Sequence, residues 1–547
     1  MRRSWIWLGL LAAACAAPVK LLVSGEEQSL RSRPANAPQG STANRAPVMV
    51  LALDGVSRDL LYDMIKRHEL PNFEALLGDG AYFNETMLSA LPSTTMPAWV
   101  TAMTGVGPAE HGVPGNEYFI RESMKLACPA PISFTDMAPT LSIYTERYLD
   151  RLVEVPTVYE RLREKDPDIQ IWVSMNHLFR GADKLLLPKR GLLVKALTGF
   201  ISFHKGSDKK ARERFSALDE AAIDAVVTRL GKEKVAPDVL TVYIAGTDLY
   251  AHIAEEGPDE ARRKYLREVV DPALAKLVKA LRERGMADRM WTLVIADHGH
   301  TQVVHDHTHA LGAKTDPGLE VLQSAGFRVR PFQQDVAKDD PFSAVMAYGG
   351  ATAYVYLADR SQCSGDTDMC SWKLPPRYEE DVIPAAEAFH RANRDGKLKG
   401  TLDMILTRKP RPFAEKDLPF EVYVGDGRTV PVDDYLREHP HPTYIAVNER
   451  LRALAAGRYG ERAGDIMLIT HLGNKDTAGE RFYFADEYRS WHGSPSRDDS
   501  EIPLIVANKQ HGRAEIRAWV QGVLGNDPAQ SKVTDIILGL RAGALER

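Results

Sequence analysis

Four stretches of the chain are apolar almost without a break, residues 48–53, 171–173, 239–245 and 291–296. Runs of this length that do not alternate predict strands buried on both faces, as in a parallel sheet covered by helices. Three of them lead straight to an acid: Asp54 after Leu53, Asp248 after 239–247, and Asp297 after Ala296. Between the runs lie amphipathic stretches at 211–230 and 259–284. In the second, Leu266, Val269, Val270, Leu274, Leu277, Val278 and Leu281 recur at helical spacing, and Gly285 stops the pattern. Strands alternating with helices predict an α/β fold, a central sheet with helices on both faces. The carboxyl ends of such strands share one edge, so the three acids are expected to converge there.

The rhythm changes between 315 and 479, where Pro is more frequent and short strand-like runs appear at 351–357 and 404–406. This stretch reads as an inserted cap region that divides a catalytic domain into 47–314 and 480–547. Residues 465–470 read as an early return to the main sheet, and 503–507 with 514–524 as its closing strand and helix.

The start of the chain follows other rules. Met1, Arg2 and Arg3 precede an apolar run from Trp5 to Ala14 and then small residues, which is the layout of a secretory signal over 1–17 and is too short to span a bilayer. Leu10 to Cys15 also has the character of a bacterial lipoprotein signal, with Cys15 as the lipidated residue. The expectation is therefore export, to the periplasm, to the medium, or to the bacterial envelope through a lipid on Cys15. Residues 18–46 turn to Ser, Arg, Pro, Ala, Asn, Gln and Gly and read as a flexible tether.

Composition narrows the function classes. The 547 residues are 44% hydrophobic and 26% charged, enough for a large core, and the net charge of −5 offers no basic field for duplex nucleic acid. An anionic small molecule would have to be held locally. Of four cysteines, Cys363 and Cys370 bracket a polar loop they could staple, leaving Cys128 unpaired if Cys15 is processed.

The candidate chemistry is hard and nitrogenous. Asp248 and His252 are four residues apart and would face the same way on one helical turn. Asp297-His298-Gly299 and Asp54-Gly55 place ligands at strand ends, and Trp491-His492-Gly493 adds an imidazole far along the chain. Each pair alone is as well explained by a turn or a cap. Together with a hydroxyl from the Ser93-Thr94-Thr95 cluster, which precedes a helix-like run, they would fill two tetrahedral sites suited to zinc. The run His300, His305, His307 and His309 reads as a surface loop more readily than as a third metal site.

In order, these motifs are Asp54-Gly55; Pro92-x-x-Thr95-x-Pro97 with Thr104-Gly105, Pro108-x-x-His111-Gly112 and Asn116; Asp248-x-x-x-His252; Asp297-His298-Gly299; and His492-Gly493. This series resembles the nucleotide pyrophosphatase/phosphodiesterase branch of the alkaline phosphatase superfamily. The resemblance implies an alkaline-phosphatase-like sheet. It implies one zinc on Asp248, His252 and His492 and another on Asp54, Thr95, Asp297 and His298, other divalent metals being possible. It also implies Thr95 as nucleophile through a phosphothreonine intermediate, and Asn116 as a donor to phosphate.

The sequence departs from the family where Ala98 replaces the usual Asn, with Trp99 beside it. Trp99 and Phe119 are candidates for an apolar wall. Arg180 stands where some monoesterases of the superfamily carry a cationic clamp. The expected substrate is a small phosphate diester or nucleotide. Phosphomonoester hydrolysis is the alternative, and an idle binding module on the same fold is a more distant one.

Overall fold

Val48–Leu53, buried at every position, lies inside an eight-stranded sheet. The order is Glu27–Ser29, Lys184–Leu186, Ile171–Ser174, Val239–Ile244, Val48–Leu53, Trp291–Ala296, Leu504–Ala507 and Tyr82–Asn84. The second to the sixth of these strands are parallel, while Glu27–Ser29 and Leu504–Ala507 pair antiparallel with their neighbours. The computed structural model describes residues 27–30, 45–130, 132, 138–188, 191–192, 195, 208–312, 316–331, 340–363, 368–409, 418–473 and 477–545. Helices Asp208–Lys232 and Asp271–Glu283 pack together against the sheet, and a second group gathers Thr95–Thr104, Val158–Lys165 and Lys532–Arg541. Covered on both sides, the parallel strands have no solvent face, which is why their sequences do not alternate.

The expected signal at 1–17, including Cys15, lies outside the described residues. The tether expectation for 18–46 needs correction at 27–29, which form the edge strand, with Leu30 N donating to Asp183 O at 2.8 Å. An exposed sheet edge offers unpaired backbone groups, and pairing with them requires no apolar pattern. The helix expected over 259–284 is interrupted: Pro258–Tyr265 passes through a wider turn at Leu266–Val270 into Asp271–Glu283. Pro272 has no N–H to bond Glu268 O, and the backbone widens just ahead of it.

Six antiparallel strands form a second sheet in the order Ala344–Tyr348, Thr352–Leu357, Ile466–Thr470, Leu402–Arg408, Phe420–Gly425 and Arg428–Val430. Ile466–Thr470 is thus central here, and the reading of 465–470 as a return to the main sheet is corrected. Along these strands the faces alternate. Tyr354, Tyr356, Met404, Leu406, Met467 and Ile469 join the core of the main sheet, while Val355, Leu357, Ile405, Ile466 and Leu468 pack with Phe389 of helix Ile383–Asp395. The second sheet therefore shares one hydrophobic core with the first. Cys363 and Cys370 form a disulfide and Cys128 is free and buried. Among the described residues no helix is long and apolar enough to cross a membrane.

Candidate metal centre and active site

The first ligand set is built at the end of Val239–Ile244. The chain turns at Ala245 and Gly246 into the short helix Gly246–Ala251, which carries Asp248 and leads to His252. Asp219, from helix Asp208–Lys232, holds this turn: its carboxylate accepts from Ala245 N (3.1 Å), Gly246 N (2.9 Å) and the Tyr265 hydroxyl (2.8 Å). A Cβ on Gly246 would overlap the Tyr265 hydroxyl, so this close approach requires glycine. Burial pushes the Asp219 carboxyl up to about 7 against the pull of those donors. Asp248 Oδ1 lies 3.4 Å from His252 Nε2 and 3.8 Å from His492 Nε2.

The second set forms where Val48–Leu53 and Trp291–Ala296 end side by side. His298 Nε2 lies 3.3 Å from Asp297 Oδ2, 3.5 Å from Asp54 Oδ1 and 3.3 Å from Thr95 Oγ1. Asp297 Oδ1 accepts from Gly55 N and His298 N, and Asp54 Oδ2 accepts from the Tyr243 hydroxyl. Their other oxygens, Asp54 Oδ1 and Asp297 Oδ2, are buried with no hydrogen-bond partner. These are the atoms that face His298. The two sets meet where the His298 and His492 rings stack with centroids 3.6 Å apart.

The imidazole protons decide what the sets can hold. Nδ1 of His252 faces Ser490 O (2.8 Å), Nδ1 of His298 faces Gly299 O (2.9 Å), and Nδ1 of His492 faces Ser93 O (2.9 Å). A carbonyl only accepts, so Nδ1 is protonated in each ring and Nε2 turns a lone pair toward the carboxylates. Lone pairs opposed to buried carboxylate oxygens are mutually repulsive unless a cation lies between them. The residues present fit a divalent metal in each set.

The electrostatics agree. Burial, then the charges of Asp297 and Asp248, raise the Asp54 carboxyl well above the usual range, and burial raises Asp297 despite His298. Burial alone would raise Asp248 too, but with no cation bound, positive charge at His252 and hydrogen bonds from His252 and His300 outweigh it and hold the carboxyl well below that range, the part a bound metal ion would take over. Burial, aided by His298, keeps His492 neutral, as a metal ligand must be.

Thr94 and Thr95 separate at a helix start. Thr94 is the residue before helix Thr95–Thr104, its backbone extended and its hydroxyl buried without a partner; Thr95 opens the helix and faces the second set. Asn116 Oδ1 accepts from Met96 N at 2.9 Å, leaving the amide Nδ2 as its donor on the cavity wall.

The cavity over the ligands has a volume of about 120 Å³. Beside Asp54, Thr95, Asn116, Asp248, His252 and His492 it is lined by Met96, Tyr144, Met175, Leu218, Tyr243 and Leu249, with His177 and Thr140, and no Lys or Arg is among the described lining residues. Burial lowers His177 to about 4, so it is neutral at pH 7.

Three expectations for the pocket are corrected. Trp99 is fully buried behind the wall, edge-on to Tyr243 at 5.8 Å, and does not line the cavity. Phe119 packs among Phe342, Tyr356 and Trp372. Arg180 does not reach the cavity: its guanidinium donates to Glu160 (3.0 Å), Asp150 O (2.7 Å), Val153 O (2.9 Å) and Val155 O. A guanidinium with backbone carbonyls and a carboxylate nearby is satisfied where it stands.

The histidine run divides as well. His300, read as part of a surface loop, is buried against Asp248, whereas His309 bonds Asp306 and Gly479 O away from the ligands. The position of His300 two residues beyond His298 was the signal in the sequence. His177, Tyr144 and Tyr243 carry no motif, and only the folded wall reveals them.

A parallel-centred α/β sheet whose strand ends carry two Asp/His metal-ligand sets beside a buried threonine defines the alkaline-phosphatase-like class. The chain belongs to the type I phosphodiesterase/nucleotide pyrophosphatase family, whose model matches residues 48–367. It is 23% identical over 360 residues to ectonucleotide pyrophosphatase/phosphodiesterase family member 7 of Homo sapiens, 66% of each chain. It is also 23% identical over 268 residues to an uncharacterized pyrophosphatase/phosphodiesterase of Schizosaccharomyces pombe. That second match covers 48% of this chain and 46% of the relative. Among solved structures, an inactive variant of murine ectonucleotide pyrophosphatase/phosphodiesterase 5 in complex with AMP aligns with a TM-score of 0.47 at 12% identity. The alignment covers 91% of this chain and 95% of that one.

Proposed function

We propose that the protein is an exported, two-zinc hydrolase of small phosphodiesters or pyrophosphates that works through a phosphothreonine intermediate on Thr95. One observation carries the reading: Thr95 Oγ1, Asp54 Oδ1 and Asp297 Oδ2 surround His298 Nε2 within 3.5 Å, the two carboxylate oxygens being buried and unpartnered.

Two bound divalent cations would lower the pKa of an attacking hydroxyl and stabilise a leaving oxygen. The chain supplies the rest. Thr95, fixed at the start of its helix, presents Oγ1 to phosphorus; the P–O bond to the leaving group breaks as the Thr95–phosphorus bond forms. Asn116, with Oδ1 held by Met96 N, is placed to donate from Nδ2 to a non-bridging oxygen as charge builds. Water then attacks the phosphothreonine and releases Thr95. The Tyr144, Met175, Leu218 and Tyr243 wall excludes bulk water and receives an uncharged esterified group.

Diester preference follows from charge. A monoester dianion brings one more anionic oxygen, and a cavity without a described Lys or Arg in its lining leaves it poorly compensated. The test is the ratio of kcat/KM for bis(4-nitrophenyl) phosphate to that for 4-nitrophenyl phosphate, with zinc added back after chelation. The diester should lead and chelation should abolish both activities; a monoester lead, or full activity in verified metal-free protein, would overturn the reading. Residues 47–314 and 480–547 would form the catalytic part and 315–479 the inserted region. Export rests on the 1–17 pattern, and the mass of the mature N-terminus from the native host distinguishes a lipid on Cys15, a free cleaved end and an uncleaved Met1.

A further inference from the structure

Most hydroxyls of the cavity wall are engaged within the protein. Tyr144 donates to Met175 O at 2.7 Å, Thr140 to Pro129 O at 3.3 Å, and Tyr243 to Asp54. The indole nitrogen of Trp491 lies against Gly350, where a Cβ would overlap it. His177 is left over. Its Nδ1 is buried without a hydrogen-bond partner, and its Nε2 has none among the described residues.

The fold fixes this ring in place. His177 follows strand Ile171–Ser174, which ends on the same sheet edge as its neighbour Val239–Ile244 and so beside the ligand sets. Asn176 Oδ1 accepts from Leu178 N at 3.1 Å, closing a turn around His177. The ring stands edge-on to Tyr243 with centroids 4.8 Å apart, and Tyr144 lies at 6.2 Å. The residue is only 7% exposed, and with Nδ1 occluded the polar edge left to the cavity carries Nε2. A buried polar edge without a partner disfavours an alkyl neighbour and favours one that can hydrogen-bond. A hydroxyl both donates and accepts, so it can meet Nε2 in either tautomer of the ring. Size narrows the choice: the cavity, about 120 Å³, is smaller than the roughly 150 Å³ that takes benzene, so the group it receives is a short chain or one small ring.

We propose that His177 is a specificity-determining residue that selects phosphodiesters whose retained ester group is small and hydroxylated, a polyol chain or a pentose, through a hydrogen bond between that hydroxyl and the imidazole. This rests on the diesterase reading above. Tyr144, Met175 and Leu218 pack on the carbon skeleton of the group, and His177 supplies the directional contact that an apolar wall lacks.

The test uses 4-nitrophenyl phosphodiesters whose second ester group is n-butyl, 3-hydroxypropyl or 5′-thymidyl, on zinc-supplemented wild type, His177→Phe and His177→Gln. Butyl and hydroxypropyl differ only in a terminal methyl against a hydroxyl, so their ratio of kcat/KM isolates the hydrogen bond. Both substrates meet the same active fraction of enzyme, so the ratio holds even for a variant that folds poorly. The wild type should favour the hydroxypropyl ester by about 5–10-fold, the size of one net neutral hydrogen bond, and His177→Phe should bring the ratio to about 1. His177→Gln, whose amide can replace the ring nitrogen, should keep most of the preference. A thymidyl ester faster than the hydroxypropyl ester, and slowed in His177→Phe by the same factor, identifies a pentose; a slower one identifies a polyol chain.

A wild type that does not distinguish butyl from hydroxypropyl overturns the proposal, and so does a preference that survives in His177→Phe. Equal loss in His177→Phe and His177→Gln would make the residue a packing element and overturns it as well. If none of the diesters is hydrolysed, it is the diesterase reading that falls.

Discussion

The carbonyl of Ser93 accepts a hydrogen bond from Nδ1 of His492 at 2.9 Å, across 399 positions of sequence. It ties the loop that leads to Thr95 to the last residue of the other Asp/His set. The tie is itself braced from the second sheet's part of the chain. Arg450, buried in helix Val447–Ala455, donates to Ser93 Oγ (2.7 Å), Ala90 O (3.0 Å) and Ser89 O (3.1 Å). Ser93 Oγ also lies 3.0 Å from Ser494 O, beyond His492. Residues of the 315–479 stretch are therefore built into the support of the Thr95 loop through Arg450.

Thr95 and Thr94 should part company on mutation. Thr95→Ala removes the hydroxyl that faces His298 and should lower diester turnover by several orders of magnitude while the melting temperature stays close to wild type. Thr94→Ala removes a hydroxyl that has no partner and should cost a small fraction of that activity. Steady-state kinetics of both variants decide it, and the reverse order would move the nucleophile to Thr94.

Arg180→Ala should act on stability and leave specificity alone. The substitution leaves Glu160 and the carbonyls of Asp150, Val153 and Val155 short of a donor, a loss of about 1–3 kcal/mol for partly buried groups. Urea unfolding reads that cost. The diester-to-monoester ratio of kcat/KM should be unchanged, and a marked change in the ratio would restore Arg180 as a substrate contact.

Asp219 sets a pH dependence with a defined sign. Its native carboxyl titrates near 7 against about 3.9 for an unfolded aspartate, so between those values the native state binds the extra proton. Stability from this group is fully present below about pH 4 and is lost as pH rises to about 7. The groups that face it are the Tyr265 hydroxyl, the Ala245 and Gly246 N–H groups, and the neighbouring Glu220. Asp219→Asn removes the titration. Its stability relative to wild type should therefore rise, on the order of 2–4 kcal/mol, between pH 4 and pH 7.5. Parallel unfolding curves for the two proteins across that range would refute the assignment.

That Asp54, Asp248 and Asp297 gather at one edge of the sheet was legible from the chain alone because local rules suffice. A strand buried on both faces shows as an unbroken apolar run, its end shows as the acid that follows, and a parallel core gathers those ends on one edge. The closeness of His252 to Asp248 was legible for the same reason, four residues being one helical turn. What the tertiary structure decided is wherever a side chain had more than one partner to choose from. Arg180 sits at a motif-like position, but nearby carbonyls and Glu160 claim its donors before the cavity can. His300 resembles His305, His307 and His309 in sequence and joined the buried Asp/His cluster only because Asp248, 52 positions earlier, stands at 2.8 Å. Residues 27–29 and 466–470 joined their sheets through backbone hydrogen bonds, which any sequence without proline can make, so the residue pattern did not reveal which sheet they would enter. Periodicity determines which residues are buried; which buried groups meet depends on hydrogen bonding and packing between segments hundreds of positions apart, as Ser93 and His492 are.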